Sequence, residues 1–116
     1  MSARRQNFSL HAGDYRDITV TVLDAGGSPV DLTSATIAWK LTTALHASPA
    51  LLSKAVASGI TIPVQTTNIG EFVIALASAD TSSLAPGVYY HEADVTIGSK
   101  KSTVIYGNVT IKLSVV

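Results

Sequence analysis

Residues 83–97 read SLAPGVYYHEADVTI, and the tyrosine at position 89 decides how the chain is read. Pro86 and Gly87 form a turn pair, since proline presets φ and glycine accepts backbone angles closed to other residues. From 88 to 97 the side chains alternate, so a long strand follows the turn. A chain that crosses between layers of a β-protein leaves backbone groups unpaired. A tyrosine at the start of the next strand can bury its ring while its hydroxyl satisfies one of those groups. Leu84, Pro86, Gly87 and Tyr89 are therefore read as structural residues. They specify a fold, not a task.

The rest of the chain keeps the same two-residue period. Residues 17–23, DITVTVL, put Ile18, Val20 and Val22 on one face and Thr19 and Thr21 on the other. The turn DAGGSP interrupts them, with two glycines free to take positive φ and Pro29 unable to donate to a ladder. TIAWKLT, 36–42, points Ile37, Trp39 and Leu41 inward; Trp39 is the only tryptophan and reads as a core anchor. Ser48-Pro49 breaks any helix begun before it, and a short edge strand or a helical turn is expected around 51–56. GITIPV is a brief strand and EFVIALA another, with Phe72, Ile74 and Leu76 inward. Ser78 and Asp80 are expected to cap a helical turn over 80–84. A final strand over 102–116 turns Val109, Ile111, Leu113 and Val115 inward, and Gly107 is expected to mark a bulge or bend in it.

With 116 residues the chain is long enough for one packed core, and without cysteine it holds no disulfide or thiolate metal site. Net charge is zero, so nothing draws the chain to nucleic acid or an anionic membrane. The N-terminus has two arginines with no apolar run behind them and does not read as a secretion signal, so synthesis in a cytoplasm is expected. No apolar stretch approaches the ~18 residues of a membrane span. Charged residues make up only 14%, against roughly 25% in typical domains, and mean hydropathy is +0.35. Either a Thr/Ser-rich β-protein needs few charges, or part of the surface is covered by other subunits; the second reading is preferred.

About seven strands with turn signals every ~8–12 residues describe an all-β sandwich or barrel. The L-x-P-G-x-Y pattern at 84–89 resembles the corner of immunoglobulin-like and fibronectin type III sandwiches, where a tyrosine bonds back to upstream backbone. A single antiparallel sandwich over 9–116 is expected, preceded by an N-terminal arm over 1–8.

Chemistry is hard to find. His11 and His91 have carboxylates nearby in sequence, but a metal site needs three or four converging ligands, and His91 and Glu92 point to opposite faces of a strand. His91 reads as a partly buried, hydrogen-bonded histidine. There is no G-x-S-x-G elbow, no phosphate-binding loop and no basic stripe with aromatics. No catalytic residue, metal or cofactor is expected.

Four segments taken in order carry a resemblance: GDYRDITVTV at 13–22, DAGGSPVDLTSATI at 24–37, GEFVIAL at 70–76 and ADTSSLAPGVYY at 79–90. They resemble the small immunoglobulin-like structural domains of tailed bacteriophages and prophages, found at the N-terminus of baseplate upper proteins and as stand-alone products of head and tail gene modules. Baseplate upper proteins continue into a long helical extension; this sequence ends at Val116, so only a docking module is implied. The resemblance implies a virion component that binds capsid, tail or baseplate proteins and copies of itself. Arg4, Arg5 and Phe8 in the arm, with Tyr90 and Tyr106 beside Val88 and Val104, are the expected partner-binding residues. The two tyrosines either anchor an interface or form cross-strand pairs on a solvated sheet. The alternative function is a carbohydrate-binding or adhesion module at a tail tip.

Overall fold

Alternation builds most of the molecule. The computed structural model describes residues 2–43 and 50–113; Met1, the Ser48-Pro49 break and Val115 lie outside them. Among the described residues there are nine strands: β1 (Arg4–Arg5), β2 (Phe8–His11), β3 (Arg16–Thr21), β4 (Thr36–Thr42), β5 (Leu52–Val56), β6 (Gly59–Thr61), β7 (Glu71–Leu76), β8 (Gly87–Ile97) and β9 (Lys100–Lys112). One short helix, α1 (Ser78–Thr81), joins β7 to the segment before β8. The protein is all-β.

The strands hydrogen-bond in one curled path, β1-β9-β8-β4-β5-β6-β7-β3, with β2 also on β9. One end of the path is the antiparallel set β4, β8 and β9; the other is β7 with β3 and β6. A short parallel pairing of β5 with β6 links them. Inward residues of both ends meet in one core, with Ile18, Val20, Phe72 and Ile74 from one and Ile37, Trp39, Val95 and Ile111 from the other. Fully burying each such side chain contributes about 1.5–3 kcal/mol.

The last strand departs from simple alternation. Ala93 pairs Ile105 while the next residue, Asp94, pairs Thr103, so Val104 is the extra residue of a bulge. Val104 and Ile105 are consequently both buried, and Val104 is not on the outer face expected of it. The bulge is not at Gly107, through which the register runs on unbroken. Gly107 is glycine for another reason. A Cβ there would stand 2.6 Å from the Gln6 carbonyl oxygen and 2.5 Å from Asn7 Oδ1, so only glycine lets the N-terminal segment lie this close. Leu113 is exposed rather than inward, just past the end of the ladder.

Two further expectations shift. The helix begins at Ser78, with Ala77 as its N-cap. Asp80 caps from inside the first turn instead, accepting the Ala77 N–H at 2.8 Å and the Lys54 ammonium at 2.7 Å. Burial pushes the Asp80 carboxyl up, but these bonds outweigh it and hold the group below the usual carboxylate range. The described part of the expected arm lies along β9. β1 pairs in parallel with Ile105–Tyr106, and β2 crosses the expected 8/9 boundary to pair with 109–112.

Candidate interaction surfaces

The N-terminal segment closes the gap between the two ends of the curled sheet. On one side it pairs with β9. On the other, Ser2 N–H donates to Leu23 O at 2.9 Å, the Arg4 guanidinium to Thr21 O at 3.3 Å, and the Arg16 guanidinium to Ser9 O at 2.7 Å. Asn7 Oδ1 accepts from the Asn108 N–H at 2.9 Å.

Beneath the segment lies the one buried histidine among the described residues. His91 is wholly inaccessible. Trp39 Nε1–H donates to its Nδ1 at 3.1 Å, and its Nε2 meets the Gln6 carbonyl oxygen. A carbonyl can only accept and an indole N–H can only donate, so the ring is neutral with its proton on Nε2. Burial pushes the His91 pKa below the ordinary 6.5, against the Gln6 bond, which favours the charged ring. Phe8 packs edge-on against it, with ring centres 5.2 Å apart, and Arg16 lies over the Phe8 ring at 5.6 Å.

The residues expected to bind partners thus fall into two groups. Arg4 and Arg5 are exposed, whereas Phe8 is half-buried against the core. Tyr90 and Tyr106 are half-buried on the outer face of β8 and β9, with Glu92 paired across to Tyr106. Arg5 lies over the Tyr106 ring at 5.8 Å, which brings the arm arginine and the sheet tyrosine into one patch. Burial and then the nearby Glu92 raise the Tyr90 pKa, so its hydroxyl stays a neutral donor. Thr103 Oγ1 lies 3.0 Å from Glu92 Oε1 and 3.1 Å from Asp94 Oδ1, and Lys101 lies 3.5 Å from Asp94.

Of the residues read as structural, Trp39 is wholly buried. Tyr89 donates its hydroxyl to Ala85 O at 2.6 Å, within the segment before β8. Leu84 is only half-buried against the core, and Pro86 and Gly87 are exposed.

Some organising residues give little signal in sequence. Gln65 sits in the connection between β6 and β7, yet it is buried. Its Oε1 accepts from Leu32 N–H and Gly70 N–H, both at 2.9 Å, and its Nε2 donates to Pro63 O at 3.1 Å. Beside it runs an open groove of about 810 Å³ whose walls include Val56, Ile62, Val64 and Ile69. Val64 is 67% exposed. Alternation that continues past Thr61 through Pro63 is the trace of this groove in the sequence. No group of three or more His, Asp or Glu residues among the described residues is placed to hold a metal. No helix among them is long and apolar enough to cross a membrane.

No family model matches the chain, and no curated protein matches it. Among solved structures, it is similar to a family 123 glycoside hydrolase from Clostridium perfringens, studied for glycolipid glycan hydrolysis. Identity is 12% and the TM-score 0.45, over 98% of this chain and 24% of that one. The chain spans about a quarter of that enzyme, and a likeness this low carries neither a fold family nor an activity.

Proposed function

We propose that this chain is an immunoglobulin-like docking module of a tailed-bacteriophage virion, holding to a multi-copy capsid, tail or baseplate assembly and performing no chemistry of its own. The observation that carries the reading is the parallel pairing of β1 and β2 with the edge of β9. Main-chain bonds at a sheet edge are a general mode of protein recognition, and here the chain's own terminus already uses that mode. The same pairing made with a neighbouring subunit would join copies or fix the module to a shell. Two sets of strands, with Tyr89 bonded back at the entry to β8, support the two-sheet immunoglobulin-like assignment. The patch of Arg5, Tyr90 and Tyr106 suits a protein partner, because tyrosine and arginine are enriched where interfaces anchor.

Mass spectrometry and cross-linking of phage particles purified from the strain that carries the gene test this directly. The chain is expected in the particle at fixed stoichiometry, cross-linked through residues 4–11 or the β8–β9 outer face. Recovery solely as a free monomer, or specific glycan binding by the isolated chain, overturns it. Deleting residues 1–7 is expected to abolish incorporation while β3 to β9 remain folded; the cut stops short of Phe8 because that ring packs on His91.

A further inference from the structure

We propose that His91 is an acid-operated latch for the N-terminal segment: neutral, its ring ties the Gln6 carbonyl to the Trp39 indole, and on protonation residues 4–11 lift from β9. The argument begins with the two ring nitrogens. Nδ1 is an acceptor for Trp39 at 3.1 Å. A proton added there sets two N–H groups facing each other and breaks that bond. The proton also places a full charge in a site closed to solvent, which is strongly unfavourable without a counter-ion.

Among the described residues the neighbours offer no counter-ion. On β8, Glu92 and Asp94 project from the opposite face of the strand. On β4, Trp39 and Leu41 face the ring's side of the sheet, and Lys40 projects away. On β9, Gly107 is the residue paired with His91 and has no side chain. From the N-terminal segment come Gln6 and Phe8, while Arg5 lies over Tyr106 and Arg16 of β3 lies over Phe8, both of them cations. The His11–Asp14 pair, 3.9 Å apart, is exposed at the far end of β2. The charged ring would hold the Gln6 carbonyl more strongly, but only by the gain of one charge-assisted hydrogen bond. That does not match desolvation together with the lost indole bond.

Relief requires water at the ring, and the segment above it is the part that yields. β8 is held by β9 along its length and by β4 from Tyr90 to Thr96. The segment is held on one side by the short pairings of β1 and β2 and on the other by a few bonds from Ser2, Arg4 and Arg16. The linkage has a definite sign. His91 in the closed state has a depressed pKa, so above 6.5 closed and open states are both neutral and the latch is at full strength. As pH falls below 6.5 the open state takes up the proton first, and closure weakens until the closed-state pKa is passed.

Amide hydrogen exchange across residues 4–11 of the intact chain, corrected for intrinsic rates, tests this between about pH 7.5 and about pH 5. Protection of the segment should fall by up to about tenfold per pH unit below 6.5, while β4 and β8 keep theirs. His91→Gln retains a donor and an acceptor but does not titrate, and should make the segment insensitive to pH. His11→Gln should leave the sensitivity in place. Should His91→Gln fail to fold, the ring protons of His91 in the wild-type chain give the same answer by NMR, since their titration must coincide with loss of protection at 4–11. A segment whose protection is flat with pH, a response that persists in His91→Gln or vanishes in His11→Gln, or ring titration without release overturns the latch.

Discussion

β9 is flanked on both sides, and the two flanks are held by different physics. On one side β8 pairs antiparallel from Gly87–Ile111 to Ile97–Lys100 through a tight turn, and its inward side chains Ala93 and Val95 are wholly buried. On the other, β1 and β2 pair in parallel, with Arg4, Arg5 and Ser9 facing solvent and only Phe8 and Leu10 reaching the core. The hydrogen-bond ladders are similar in kind. The difference is apolar burial, which is what gives a strand most of its hold. The β8 flank belongs to the core, and the N-terminal flank, with less apolar burial, is expected to open before it.

The largest effect expected from that contrast lies in the core. Trp39→Ala removes the largest buried side chain and should destabilise the whole fold by about 3–5 kcal/mol. It also removes the donor to His91 Nδ1, leaving a buried acceptor unpaired. Chemical denaturation should show one shifted transition. A variant that unfolded the N-terminal segment alone would mean that Trp39 serves that flank rather than the core.

Gly107→Ala should do the opposite. Its Cβ would collide with the backbone of Gln6, so β9 and the segment cannot both stay in place. The segment is the weaker partner. Exchange should show residues 4–8 losing protection, by about 1–3 kcal/mol of local stability as for other overpacked sites, while the midpoint of global unfolding moves far less. Equal losses in both would erase the distinction between the flanks.

The core was legible in the sequence and the attached flank was not, for a physical reason. In β4 and β7 every second residue is large and apolar, and the pattern Ile37, Trp39, Leu41 or Phe72, Ile74, Leu76 has no competing helical reading. β1 is two arginines, a pair that states nothing about the face it occupies. Its place is set by main-chain bonds to β9, which leave no trace in side-chain type. Phe8 and Leu10 do alternate, but over four residues such a signal is too short to separate a strand from an arm. The bulge at Val104 was hidden similarly, because STVIY alternates acceptably in either of two registers. His91 could be read as a bonded histidine from its face of β8, but its partners come from positions 6 and 39, far away in the chain.

The smallest effect belongs to the residue from which the fold was read. Tyr89→Phe deletes only the hydroxyl that donates to Ala85 O at 2.6 Å and keeps the ring packed against the core. The bond is exposed, so water can replace it at the carbonyl, and its loss should cost about 0.5–1 kcal/mol, the low end for a hydrogen bond. Leu84, half-buried a few residues earlier, should likewise cost less on truncation to alanine than the about 2–5 kcal/mol of a fully buried leucine. Thermal denaturation of Tyr89→Phe therefore separates two roles for the tyrosine. A shift within this small range makes its ring the main contribution and its hydroxyl a local tether. A loss approaching that of Trp39→Ala would place the hydroxyl among the interactions that hold the two ends of the sheet together, and the entry to β8 would then rank with the core rather than with the attached flank.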